Sequence, residues 1–350
     1  INFNDGVIGQ LATRGVEGIA VTPASLTISE TNPYNYGTLA TGSTQLHTFT
    51  ITNGGSFAAS SIAEVGLAVP YTFEGGTFPG TTGDCIATLA GGATCEIVVA
   101  YSPSAVSAPT HDDTIDISYN DGVVTQNALR DVTGTAVTPA LITISEADPF
   151  DYGTIADGST LTQIFTLTNG GGFTATSLLE VGLTTPFVFS GGGTFPGTAG
   201  TCTTVIGAGA SCTVEIEFVP AATGFYSDTI DFTYDNGATT VSSTRQVQGT
   251  SAAPALLVVL EVNPYDYLNV TDGASTTHTF TVQNTGSVSA LGMGGAGLSA
   301  PFTFAGGSYP GTAGTCAATL LPAATCEIVI QFAPTSLGLL SDTIELNYND

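Results

Sequence analysis

The sequence has no lysine and no tryptophan, and it holds a single methionine. Its three arginines, Arg14, Arg130 and Arg245, stand against 29 acidic residues. Without lysine there is no Schiff-base catalysis, no P-loop and no Lys–Asn isopeptide cross-link. Three arginines cannot neutralise a run of phosphates, so nucleic acid and anionic lipid are excluded as partners. Long hydrophobic runs are missing too: no stretch approaches 18 apolar residues, so no membrane insertion is expected within this segment. A 3.6-residue apolar stripe is also lacking, which argues against helices. Only 9% of residues are charged while 42% are hydrophobic. That balance is wrong for a disordered acidic tail and right for a chain with buried cores.

What is present is repetition. NPYNYG (32–37), DPFDYG (148–153) and NPYDYL (263–268) recur at a near-constant step, as do Pro23, Pro139 and Pro254 and the three arginines. FPGTTGDC (78–85), FPGTAGTC (195–202) and YPGTAGTC (309–316) precede a cysteine in each copy. DTIDISYND, DTIDFTYDN and DTIELNYND mark the end of each copy. A step near 115 residues is the size of an independent domain rather than of a solenoid repeat. We divide the chain into residues 1–18, a strand without its own domain, and repeats at 19–134, 135–250 and 251–350.

Within each repeat the pattern has period two. Cys212, Val214, Ile216 and Phe218 share one face of their segment, opposite Thr213, Glu215 and Glu217; Ile230, Phe232 and Tyr234 alternate with Thr229, Asp231 and Thr233. Such alternation predicts strands buried on one face, hence antiparallel sheets. Asn-Gly turns such as TNGG (52–55 and 168–171) punctuate them. The expected fold is all-β: tandem Ig-like antiparallel β-sandwiches of about seven strands each.

The series PYxYG, FTxTNGG, paired cysteines, DTIxxxY and a closing V-x-G-T resembles the ASH-type Ig-like domains found in tandem in bacterial surface proteins, the "choice-of-anchor D" group. Similar units occur in Hydin-like ciliary proteins. The likeness covers the chain three times over, with Asn53 and Gly54 among its strongest elements. It departs where Tyr36-Gly37 and Tyr152-Gly153 replace the usual Phe-Gly, and where Leu268 replaces the glycine. The resemblance implies a sandwich with a scaffolding or surface role and no catalytic residue.

Six cysteines permit 15 pairings. The repeat leaves one arrangement that serves every copy alike: Cys85–Cys95, Cys202–Cys212 and Cys316–Cys326. Two thiols per repeat with no neighbouring histidine do not make a four-ligand zinc site. Disulfides would place the chain in an oxidising, extracellular or cell-surface setting.

Catalytic residues are not found. His47, His111 and His278 read as solvated surface. No D-x-D-x-D-G loop occurs. No cofactor is expected, apart from calcium at domain junctions, where carboxylates of adjoining loops could supply oxygen ligands; the alternative is a solvated, self-repelling acidic surface. Asn269-Val270-Thr271 is a lone glycosylation sequon. One charged pattern is more specific. Arg130 falls in phase with the inward Val132, so it needs a carboxylate. We expect Arg130 to pair with Glu30 and Arg245 with Glu146, with a bulge that carries arginine to the surface as the alternative.

The chain opens INFND and closes LNYND, the same point in its own pattern. The third repeat therefore stops before the place of its last strand, while residues 6–18 look like that strand without a domain. Either the chain is a slice of a longer array, or its first residues complete the third repeat of a second copy by strand addition, with Arg14 serving Glu261. The expected partners are copies of itself or adjoining repeats, head to tail. The functional reading is a structural extracellular filament, fibre or stalk; the alternative is an adhesin that recognises a glycan or cell surface.

Overall fold

The computed structural model describes every residue except Asp5 and Ile8, and for Phe3 and Asn4 it describes the backbone alone. The match of Asp5 to Asp350, and Ile8 within the 6–18 segment, lie outside the described residues. The chain divides into two compact units. One comprises residues 1–140 with 171–174 and 236–239; the other comprises 141–170, 175–235 and 240–350. Among the described residues the regular structure is strand, apart from one short 3-10 turn at Glu74–Gly76.

Each repeat supplies two sheets. In the first, a four-stranded sheet runs Leu26–Ile28, Gln45–Asn53, Thr94–Tyr101, Tyr71–Phe73. The facing sheet runs Tyr34–Ala40, Thr125–Val137, His111–Asn120, Ala59–Glu64, Thr88–Leu89. The second repeat follows the same order, with Ile142–Ile144, Leu161–Asn169, Ser211–Phe218 and Phe187–Phe189 in one sheet. Phe150–Ala156, Thr240–Ala252, Gly224–Asp235 and Thr176–Glu180 form the other. Alternation is kept: Phe49, Ile51, Ile97, Val99, Ile115 and Ile117 are fully buried between the sheets. One feature is not antiparallel. Tyr34–Ala40 runs parallel to Thr125–Val137, and Phe150–Ala156 parallel to Thr240–Ala252. The NPYNYG segment thus leaves its neighbour in one sheet and joins the far edge of the other.

The recurring motifs are the devices that join the sheets. The second aromatic residue of PYxYG spans the core: the Tyr36 and Tyr152 hydroxyls donate to the Val99 and Ile216 carbonyls at 3.0 Å. The tyrosine of DTIxxxY works in the other direction. The Tyr119 and Tyr234 hydroxyls accept from the Leu26 and Ile142 amides at 3.1 and 3.0 Å. Below them two rings stack, Tyr71 on Tyr101 and Phe187 on Phe218, each pair with centroids 4.9 Å apart. The Asn of the NGG turn is wholly buried and serves as a hub. Asn53 accepts from the Ser25 and Gly55 amides and donates to the Phe57, Leu89 and Ala90 carbonyls. The FPG loop lies back on the Thr94–Tyr101 strand, whose Val98 amide donates to Pro79 O at 2.8 Å. Gly80 has a positive φ there, and a Cβ on it would sit 2.8 Å from Val98 O, so that position admits glycine alone.

The third repeat has the first sheet complete: Leu257–Val259, Thr276–Asn284, Thr325–Phe332, Phe302–Phe304. Its second sheet is Thr319–Leu320, Ala290–Ala296 and Glu345–Asn349. Among the described residues no strand lies on the free side of Glu345–Asn349. The NPYDYL segment, a strand in the other two repeats, has no partner to pair with and is not one here.

Candidate functional site

The disulfides are within repeats. Cys85–Cys95, Cys202–Cys212 and Cys316–Cys326 have Cα separations of 5.0, 4.8 and 4.8 Å. Each pins the end of an FPG loop to the strand beneath it, where the Cys85 amide also donates to Glu96 O. Asp84 lies beside Cys85 and Cys95 in a grouping of metal-ligating residue types. Both sulfurs are spent in the disulfide and the carboxylate accepts from the Glu96 amide, so the group has no thiolate to offer.

The arginines point inward as their phase requires, but not to the expected carboxylates. Arg130 Nη2 donates to the Ile28 carbonyl and Arg245 Nη2 to the Ile144 carbonyl. Arg245 Nη1 lies 3.9 Å from Asp148. Neither Glu30 nor Glu146 lies within ion-pair reach of its arginine among the described residues. The reason is local. Both glutamates follow the end of a strand at positive φ, 77° and 67°, which swings their side chains off the strand's inward phase. Glu30 instead lies 3.6 Å from His47 Nε2, beyond hydrogen-bond length, and Glu146 accepts from Ser145. The inward slot is taken by the residue before: Ser29 and Ser145 accept from the Thr50 and Thr166 amides.

The histidines are also not simply solvated. His47 stacks on Tyr34 with centroids 4.0 Å apart, and its Nδ1 is 2.9 Å from the Tyr34 hydroxyl. His278 stacks on Tyr265 at 3.8 Å, and His111 Nδ1 lies 3.0 Å from the Tyr101 hydroxyl. In the second repeat Phe150 and Gln163 occupy the places of Tyr34 and His47. That substitution, present in the chain's own repeats, was the signal for the pairing.

The second repeat contains a cavity of about 240 Å³ lined by Glu180, Leu183, Val188, Phe189, Gly193 and Phe195. Burial raises the Glu180 carboxyl above its ordinary value, against the Leu183 amide that donates to it and with help from Asp228 and Asp231. Glu180 is the one titratable side chain among those lining residues, so acid–base chemistry finds no second group there.

The third repeat's free edge differs from the rest of the surface. In the first two repeats this edge is filled by Thr125–Val137 and Thr240–Ala252, where Val132 and Val247 are at most 1% exposed. Beside Glu345–Asn349, where no strand lies among the described residues, Tyr265, Tyr267, Ile344, Leu346 and Tyr348 are only partly buried. Burial still raises Tyr267, to about 12, less than it raises Tyr36 and Tyr152. Beyond the edge, Leu337 and Leu339 are almost wholly exposed. Leu260 stands where Ser29 and Ser145 stand, and Glu261 turns inward in their place. Its Oε1 accepts from the Thr281 amide at 2.8 Å, while its Oε2 is buried with no hydrogen-bond partner. Arg14 is exposed in a segment of no regular structure.

Several solved structures share local likeness with this chain. A protein of unknown function from Porphyromonas gingivalis W83 is 14% identical over 64% of this chain and 99% of its own, with a TM-score of 0.26. The VesB protease of Vibrio cholerae is 16% identical, covering 32% of each chain, with a TM-score of 0.24. The ASH/PapD-like domain 7 of human CEP192 is 18% identical over 33% of this chain and 87% of its own, with a TM-score of 0.25. Scores this low carry no inference about function. No curated protein matched the chain. Residues 144–250, most of the second repeat, match the family model of the HYDIN/CFA65/VesB-like Ig-like domain. That match agrees with the Hydin-type side of the likeness read from the sequence and does not extend to a choice-of-anchor D assignment.

Proposed function

We propose that the chain is a structural protein whose tandem Ig-like sandwiches build an extracellular filament, fibre or cell-surface stalk, with no catalytic role. The observation that carries this reading is that the distinctive contacts recur. Disulfide, buried asparagine, cross-core tyrosine and carbonyl-bound arginine serve folding in repeat after repeat, whereas an active site is local to one domain. Three disulfides fit a non-cytoplasmic, oxidising setting. No helix is long and apolar enough to cross a membrane. Head-to-tail joining by strand addition, with the N-terminal segment of another copy as donor, draws its support from Arg14, Val16 and Gly18, which keep the spacing of Arg130, Val132 and Gly134 in the last strand of the first repeat. A contact of that kind is heterologous and makes an open fibre when its rotation does not close into a ring.

The test is electron microscopy of the purified chain across a concentration series, with the mass of the native polypeptide, reduced and denatured, measured in parallel. Filaments that disappear when residues 1–18 are deleted support the reading. Single particles at all concentrations, from a polypeptide near 35.2 kDa, refute polymerisation. A mass many times larger points to closure of each repeat by its own continuing chain.

A further inference from the structure

We propose that the cavity of the second repeat is a binding site for a small organic cation, a primary ammonium on a short apolar stem, with Glu180 as its counter-ion. The site goes beyond the structural role above and does not depend on assembly. What carries it is one place in the fold that each repeat fills differently. Glu64 lies opposite Ile117, Glu180 opposite Phe232 and Gly295 opposite Leu346, so the three share a place in the sandwich. In the third repeat aromatic rings occupy it: a Cβ on Gly295 would lie 2.1 Å from the Phe304 ring and 2.8 Å from the Tyr309 ring. In the first repeat Glu64 stands there and accepts from the Leu67 amide. The second repeat keeps the glutamate but lengthens the neighbouring loop by one residue. Between its two phenylalanines it reads SGGGT (190–194), where the others read EGGT (74–77) and AGGS (305–308). Gly191, Gly192 and Gly193 have φ of 72°, 116° and 78°, a run that only glycine adopts without steric cost. Val188 also replaces the hydroxyl-bearing Thr72 and Thr303 of the other repeats. Val188 and Gly193 both line the cavity of about 240 Å³.

The lining sets the occupant. Leu183, Val188, Phe189 and Phe195 supply apolar side chains, and Glu180 supplies the charge. Glu180 Oε1 accepts from the Leu183 amide at 2.8 Å. Among the described residues no arginine lies within ion-pair distance of it. The charge nearby is negative as well. Burial raises the Glu180 carboxyl, Asp228 and Asp231 add to the rise, and Asp231 Oδ1 is itself buried without a hydrogen-bond partner. An anion would be repelled from such a site, and a neutral apolar guest would leave the carboxylate uncompensated. An ammonium offers donors and cancels charge, while its stem lies along apolar walls. The Phe189 and Phe195 rings, with centroids 5.6 Å apart, add attraction for a cation. Drug-sized ligands take pockets from about 300 Å³ upward, so this smaller cavity admits an amine of a few carbons. The chain has no lysine and cannot fill the site with a side-chain ammonium of its own. The same chemistry has two sources, a free amine and a lysine side chain of another protein. An acid held in a costly place beside a lengthened loop gives up stability for a site.

The test is a titration of the full chain, labelled with nitrogen-15, with pentylammonium chloride at about 150 mM sodium chloride, where diffuse attraction to the acidic surface is screened. The Leu183 and Gly193 amide signals should shift and saturate. Pentan-1-ol, the neutral counterpart, should bind about tenfold more weakly, the scale of one partly desolvated charge contact. Glu180→Gln keeps an oxygen for the Leu183 amide and removes the counter-ion. It should cut pentylammonium affinity about tenfold and leave pentan-1-ol unchanged, a split that a folding defect would not produce. Glu64→Gln, the same change at the counterpart place, should alter neither. Nα-acetyl-lysine amide separates the sources: binding as tight as pentylammonium assigns the site to a lysine of a partner protein, and weaker binding assigns it to a free amine. The proposal is overturned if neither amine shifts Leu183 saturably, if pentan-1-ol binds as well as pentylammonium, or if Glu180→Gln binds the amine like the parent.

Discussion

At the scale of single residues, the fold rests on a few buried polar groups with every bond made. Asn53 is the densest of these, and its counterparts Asn169 and Asn284 are likewise fully buried. Replacing Asn53 with alanine strands the Ser25 and Gly55 amides and the Phe57 and Leu89 carbonyls away from water. We expect a loss on the order of 3 kcal/mol for the first repeat, the cost of several unmet buried groups after partial relaxation. It would be read as a lower urea midpoint for amide exchange in residues 24–57, and an unmoved midpoint would refute the hub. Glu180 gives a prediction of opposite sign. Its carboxyl is raised in the folded state by burial. A carboxyl raised on folding favours the native state below the unfolded value and loses that contribution as pH rises through the folded one. Glu180→Gln keeps an oxygen for the Leu183 amide and removes the buried charge. The variant should therefore melt higher than the parent at pH 7, and the gap should close as pH falls below about 4, the ordinary glutamate range. A gap that widens on acidification would contradict the assigned cause.

At the scale of elements, the FPG loop and its disulfide act as one part. The loop bonds to the Thr94–Tyr101 strand through Pro79 O and is tied there by Cys85–Cys95. Replacing both cysteines with serine should cost the first repeat roughly 3 kcal/mol, the loop entropy that a ten-residue closure removes from the unfolded chain. Urea unfolding measures it, and an unchanged midpoint would mean that the loop is held by its hydrogen bonds alone. This element was legible in the sequence because its parts recur at fixed offsets and the strand beneath it alternates. Strand character was legible for the same reason: Ile230, Phe232 and Tyr234 cannot all be buried except with period two. The parallel strand at Tyr34–Ala40 was not legible, since alternation says which face is buried and not which neighbour is paired. Nor was the true seat of Arg130. Phase placed the guanidinium inward correctly, but its partner depended on the positive φ of Glu30, a backbone choice that no side-chain pattern announces. The inward turn of Glu261 carried a trace in the sequence, the replacement of Ser29 and Ser145 by Leu260, which has meaning only once the serine's bond to the next strand is known.

At the scale of the whole molecule, charge opposes the assembly proposed above. Each chain carries a formal net charge of −26, so two chains repel at every distance within the screening length, ~10 Å at 0.1 M salt. The proposed head-to-tail joining would have to overcome that repulsion by burying apolar surface. Salt screens exposed charges well and buried pairs poorly. The net effect of added salt is therefore predicted from which contribution is exposed. Raising sodium chloride from about 20 mM to about 300 mM should strengthen any association of the full chain, because it removes long-range repulsion and leaves buried apolar contacts largely untouched. Sedimentation velocity at the two salt concentrations makes the measurement. Association that weakens with salt would mean that exposed ion pairs hold the copies together. A chain with three arginines has few such pairs to offer, so that outcome would require a bridging cation between acidic surfaces, and repeating the series with a chelator would then separate the two cases.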